Sequence, residues 1–243
     1  MVVQCLVSET FGKSLIRTPV FAIKDRTLRF LVELFDKKVD TMKNKDNDES
    51  WEEDPNKKEY VEWEKPKEII DTTFEEDKVI VTDKWEQVYE PGYYGKNLGN
   101  RLELALVEAC LLLKRGRIRV LKDGKPMDFH NLYSFATSLD RRFPHRYRVY
   151  EDLRERGLLV RTGFKFGCDY RVYERGVQLK KGPKGAKEHT KWIVYCVPED
   201  FTMSFQELSR SVRLAHNIRA KMLWAIVDNE GDCTYYTIVR HKP

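Results

Sequence analysis

The 243-residue chain has no apolar run of the roughly 18 residues that a membrane-crossing helix needs. Its first residues lack a cationic leader followed by a signal-type apolar stretch. Both absences point to a soluble chain with a cytoplasmic location. Cysteine is sparse and scattered: Cys5, Cys110, Cys168, Cys196 and Cys233 form no Cys-x-x-Cys pair and have no histidine at ligand spacing. The patterns of a structural zinc site and of a disulfide framework are therefore missing.

Charge, by contrast, is abundant. Charged residues make up 34% and apolar residues 41%, the balance of a globular chain long enough for one large or two small domains. The formal charge of +5 conceals an asymmetry. From Asp40 to Lys78 there are 15 acidic and 7 basic side chains, so the remainder carries a net +13. A basic body behind an acidic segment suits an anionic partner, although a solvated charged surface accounts for composition equally well.

Residues 1–38 read as a small apolar-rich unit, with strands at Val2–Val7 and Val20–Ile23 and a strand or short helix at Thr27–Phe35. Ala22-Ile-Lys-Asp25 faintly repeats Ala225-Ile-Val-Asp228, the trace of a duplicated, degenerate unit. Residues 39–75 read as an acidic linker, too poor in apolar groups to offset the entropy of ordering. Residues 76–157 mix short strands with amphipathic helices. Lys78–Val81 is a strand, Asn100 caps a helix through Leu102–Leu113 that closes at Lys114-Arg115-Gly116, and Ile118–Leu121 turns at Asp123-Gly124. Asp128 caps a helix whose buried side runs from Phe129 to Leu139, and a third helix spans about Tyr147 to Gly157.

Residues 158–243 form the second unit. Leu158–Arg161 and Phe164–Tyr173 read as strands meeting at Thr162-Gly163, and Trp192–Val197 as another. Ser204-Phe-Gln-Glu207 is a capping box that opens a helix to Asn217. Met222–Val227 and Cys233–Val239 are strands joined by the acidic turn Asp228-Asn-Glu-Gly-Asp232.

The chemistry-bearing pattern lies in this unit. Tyr173 ends an apolar strand, and His189 follows a Gly/Lys-rich loop in Lys187-Glu-His-Thr190. Taken singly, such a tyrosine is usually a packed ring with a wet hydroxyl, and such a histidine a solvated one. In order and at these spacings they resemble the catalytic domain of the archaeal tRNA-splicing endonucleases, the tRNA-intron endonuclease family. Tyr93-Tyr-Gly95 and Leu102-Glu-Leu-Ala-Leu-Val-Glu108 extend the resemblance over about residues 76–243.

The resemblance implies a mixed α/β fold. A small helix-rich unit (76–157) precedes a restriction-endonuclease-like mixed-sheet catalytic domain (158–243), with residues 1–75 as an extra segment. It implies a metal-free, cofactor-free enzyme that excises introns from precursor tRNA at bulge–helix–bulge sites, leaving 2′,3′-cyclic phosphate and 5′-hydroxyl ends. Tyr173 corresponds to the base, His189 to the acid, and Arg213 and Arg240 to a pair that clamps a splayed bulge base.

The family's third catalytic residue, a lysine, falls at Ala220 in Val212-Arg-Leu-Ala-His-Asn-Ile-Arg-Ala-Lys221. Ala220 reads as an inactivating replacement, in the simplest account an engineered one that traps substrate. The alternative is a natural substitution with Lys221 serving instead. The resemblance also implies self-association, as a homodimer or homotetramer, with Asp228, Glu230 and Asp232 docking into a basic cleft of another copy. A non-catalytic structural or RNA-binding subunit of the same fold is the competing reading. A metal-dependent nuclease is disfavoured, because no Asp…Glu-x-Lys carboxylate cluster occurs in residues 158–243.

Overall fold

The computed structural model describes residues 6–7, 68–177, 179 and 189–240. Except for Leu6 and Val7, the segment expected as an N-terminal unit lies outside the described residues. The elements form two six-stranded sheets.

The first sheet begins inside the expected linker. Strand β2 (Ile70–Glu75) alternates buried and exposed residues, so its apolar positions face one side despite the acidic composition. It pairs antiparallel with β3 (Lys78–Val81) and parallel with β6 (Ile118–Lys122). Hairpin partner β7 (Lys125–Met127) returns from Asp123-Gly124, both at positive φ, as a two-residue turn of this type requires.

Sequence reading placed a helix over Leu102–Leu113. The structure divides it. Leu102–Leu104 is strand β5, paired with β3 and with β4 (Lys96–Asn97), and α2 runs only over Leu106–Lys114. The reason is local. Leu102 and Leu104 are both fully buried, a period of two that suits a strand. Glu108, not Asn100, closes the helix start: its carboxylate accepts from the N–H of Ala105 (2.9 Å) and of Gly95 (3.0 Å). Gly95 cannot be replaced, since a Cβ there would lie 2.6 Å from the Glu103 carbonyl oxygen.

Three further helices follow, α1 (Trp85–Gly92), α3 (Phe129–Leu139) and α4 (Phe143–Glu155), and α4 packs against the strands of the second sheet. Asp128 caps α3 as expected, accepting from Asn131 N–H at 2.7 Å. Leu139, expected on the buried side, is exposed. Helix α4 starts four residues earlier than expected, at Phe143 with Pro144 in its first turn, where a missing N–H costs nothing.

The second sheet has the order β1-β12-β11-β10-β9-β8. Its members are β1 (Leu6–Val7), β8 (Leu159–Thr162), β9 (Tyr170–Tyr173), β10 (Trp192–Pro198), β11 (Lys221–Val227) and β12 (Cys233–Ile238). The expected strand over Phe164–Tyr173 begins only at Tyr170, because Phe164–Phe166 forms a 3-10 turn. Gly163 permits this fold-back, as Cys168 Sγ sits 2.4 Å from where a Cβ would be. Helix α5 (Phe205–Asn217) carries the chain between β10 and β11, which run parallel, and the Ser204–Glu207 capping box opens it as expected.

One apolar cluster runs from Ile70 to Val227, so both sheets share a core. Arg154 of α4 is its polar knot, 1% exposed. Its guanidinium donates to Gly92 O (2.9 Å) and Val160 O (2.7 Å), while Nε donates to Tyr150 Oη (3.1 Å). It also lies 4.2 Å over the Tyr94 ring. Arg154→Ala should lower the unfolding free energy by about 3 kcal/mol or more, since it strands buried acceptors from both sheets' neighbourhoods. Chemical denaturation measures it; a loss below about 1 kcal/mol would contradict this role.

Candidate active site

Strand direction brings the site together. Tyr173 is the last residue of β9, which runs antiparallel to β10. His189 lies just before the start of β10, and Ala220 just before the start of its parallel neighbour β11. All three therefore occupy one end of the sheet. Two backbone bonds fasten that end: Lys191 N–H donates to Val172 O (2.9 Å), and Lys221 N–H to Lys191 O (2.8 Å). Tyr173 is 2% exposed, whereas His189 is exposed. Lys187 and Glu188 of the preceding loop lie outside the described residues.

Neighbouring tyrosines are committed elsewhere. Tyr170 donates to Arg146 O at 2.8 Å, and burial pushes its pKa well above the ordinary tyrosine value. Tyr195 donates to Gly167 O, and its pKa is likewise raised by burial. Cysteine nucleophiles are equally poor candidates: burial pushes the Cys168 thiol up to about 11, so it stays protonated. Asp169 is buried at the other end of β9 from Tyr173, holding Arg142 (2.8 Å), Arg146 (3.3 Å) and the Cys196 N–H (2.8 Å). This network anchors α4 under β9 and β10.

Position 220 has a clear local logic. Helix α5 ends in paired bonds, Arg219 N–H to His216 O (3.1 Å) and Ala220 N–H to Ala215 O (2.9 Å). Such an ending places an apolar side chain at position 220 against the last helical turns, and Ala220 packs in one cluster with Ala215 and Met222. Lys221 takes the opposite face. It pairs with Trp192 in the ladder, in phase with Leu223 and Ala225 rather than with Met222.

Arg213 is exposed on α5, its Nε donating to Ser209 O at 3.3 Å. Arg240 is exposed just past the end of β12, at the same end of the sheet as Ala220. The acidic turn lies at the other end, beyond the seven residues of β11, roughly 20 Å away. Within it Asp228 is occupied: its Oδ1 accepts from Glu230 N–H (3.0 Å) and Asp232 N–H (2.8 Å), while Arg148 Nε braces Gly231 O at 2.5 Å. Glu230 and Asp232 stay exposed. The edge of β12 carries β1 at Leu6↔Thr237 and Val7↔Tyr236.

Sequence reading missed Arg219, a non-glycine residue at the site end with its backbone in the left-handed region (φ +57°). Motif matching could not have found it, because the signal is conformational. Among the described residues no group of three His, Cys, Asp or Glu side chains is placed to hold a metal, and no helix is long and apolar enough to cross a membrane.

Compared with known proteins, residues 143–235 match the model of the tRNA intron endonuclease catalytic C-terminal domain, and residues 70–133 that of the same family's N-terminal domain. The tRNA-splicing endonuclease of Thermococcus onnurineus is 38% identical over 152 residues, covering 63% of this chain and 84% of the relative. That of Thermococcus kodakarensis is 37% identical over 164 residues, 67% of this chain and 92% of the relative. The Methanosarcina barkeri enzyme is 39% identical over 176 residues, 71% of this chain but 49% of the relative.

Asp228→Ala should cost about 1–2 kcal/mol by freeing two backbone donors of the turn, whereas Glu230→Ala should stay within about 0.5 kcal/mol. Equal effects in denaturation would contradict the assignment of Asp228 as the turn's organiser.

Proposed function

We propose that this chain, which belongs to the tRNA intron endonuclease family and so is an enzyme of tRNA splicing, cuts precursor tRNA at bulge–helix–bulge sites without metal. The observation that supports this reading is the gathering of Tyr173, His189 and position 220 at one end of the sheet. Tyr173 takes the proton of the ribose 2′-hydroxyl. The 2′-oxygen then bonds to phosphorus, the bond from phosphorus to the 5′-oxygen breaks, and His189 gives that oxygen its proton. The ends are a 2′,3′-cyclic phosphate and a 5′-hydroxyl. Arg213 and Arg240 clamp a splayed bulge base between their guanidinium planes.

The weak point is charge. A phosphorane needs a cation beside it, and Ala220 offers none. The chain therefore binds its RNA and cleaves it slowly. In single-turnover assays with a bulge–helix–bulge RNA, Ala220→Lys should accelerate cleavage by about 10²–10³-fold. Equal rates would show that position 220 is not where the charge is missing. If both forms bind RNA and neither cuts, the reading as a non-catalytic subunit takes over.

Two cuts per intron call for two sites, hence for self-association. Glu230 and Asp232 are too far from their own site to serve it, which suits docking onto a basic cleft of another copy. Reversing the charge of both should lower the mass found by light scattering while leaving the unfolding temperature unchanged. A monomeric parent chain, or an unchanged mass in the variant, would contradict this contact.

A further inference from the structure

We propose that Arg219 carries the slow residual cleavage of this chain, its positive charge standing in part for the cation that Ala220 lacks at the scissile phosphate; the inference rests on the RNA-cleavage reading above. The bonds that end α5 require residue 219 to sit in the left-handed region, where glycine is the unstrained choice. An arginine stands there instead, at φ +57°. Among the described residues four other non-glycine residues share a positive φ, but Glu76 and Asp123 are in hairpin turns, while Lys84 and Tyr93 flank α1. Strain at a position of no further use is readily lost; strain kept at a site suggests that the side chain is needed there.

The side chain suits the task. Arg219 is exposed, and among the described residues its guanidinium makes no hydrogen bond or ion pair. It is the immediate neighbour of Ala220, at the sheet end that holds Tyr173 and His189. A planar fork of donors matches two phosphate oxygens at once. Two other nearby cations among the described residues are placed for different work. Lys221 lies on the opposite face, in register with Trp192. Lys191 pairs with Glu174 and lies 4.7 Å over the Trp192 ring.

Arg219→Gly tests this without endangering the fold, since glycine relieves the backbone. We expect the unfolding temperature to rise by about 2–4 °C. The single-turnover rate at saturating RNA should fall about 100-fold, with RNA affinity changed less than about threefold. Arg219→Lys should recover at least a tenth of the rate, because it restores charge without the fork. In an Ala220→Lys background the same Arg219→Gly change should cost less than about fivefold, the lysine having taken over the role.

An Arg219→Gly rate equal to the parent's would overturn the proposal. So would a loss confined to RNA affinity, or a parent with no measurable cleavage beside an active Ala220→Lys variant. If Ala220→Lys is itself inert, the failure lies with the cleavage reading and not with Arg219 alone.

Discussion

Two neighbouring strands that run parallel must begin at the same end of their sheet. The site follows from that constraint. Helix α5 lifts the chain from the end of β10 back to the start of β11, so the residues just before each strand become neighbours. Antiparallel β9 then delivers its last residue to the same place. Tyr173, His189 and Ala220 are 16 and 31 positions apart in the chain, yet topology alone brings them to one sheet end. No loop has to be folded with special care for this to happen.

Buried charge along the sheet fastens it to α4. Asp169 ties Arg142 and Arg146 of the α4 region to the β9–β10 pair, and Arg154 ties the same helix to Gly92 and Val160. Farther along, Tyr235 Oη donates to Asp152 at 2.6 Å, fastening β12 to α4. One helix therefore ties the second sheet to the end of α1. Such contacts are costly to break singly, because each would leave a buried group without its partner.

Much of this was legible in the sequence where one residue sets the local geometry. Asp128, Ser204 and Glu207, and Asp123-Gly124 announce their caps and turn, and the structure has each of them. The mixed α/β fold and the family were also readable from ordered motifs. The errors have a common cause. The helix over Leu102–Leu113 and the strand over Phe164–Tyr173 were read from local apolarity, but partners distant in the chain decide both. Leu102 and Leu104 join β3, and Gly163 folds back because Cys168 fills its space. The site positions were legible only through resemblance; their convergence needed the strand order. Arg219 was not legible at all, because a backbone angle leaves no mark in a motif.

The central claim is chemical: the RNA's own 2′-hydroxyl is the nucleophile, and side chains at one sheet end move the protons. Analysis of the cleaved ends tests it most directly. The Ala220→Lys form, incubated with a bulge–helix–bulge RNA in excess EDTA, should leave 2′,3′-cyclic phosphate and 5′-hydroxyl termini. Cleavage that stops in EDTA and returns with Mg²⁺, leaving 3′-hydroxyl and 5′-phosphate ends, would contradict it.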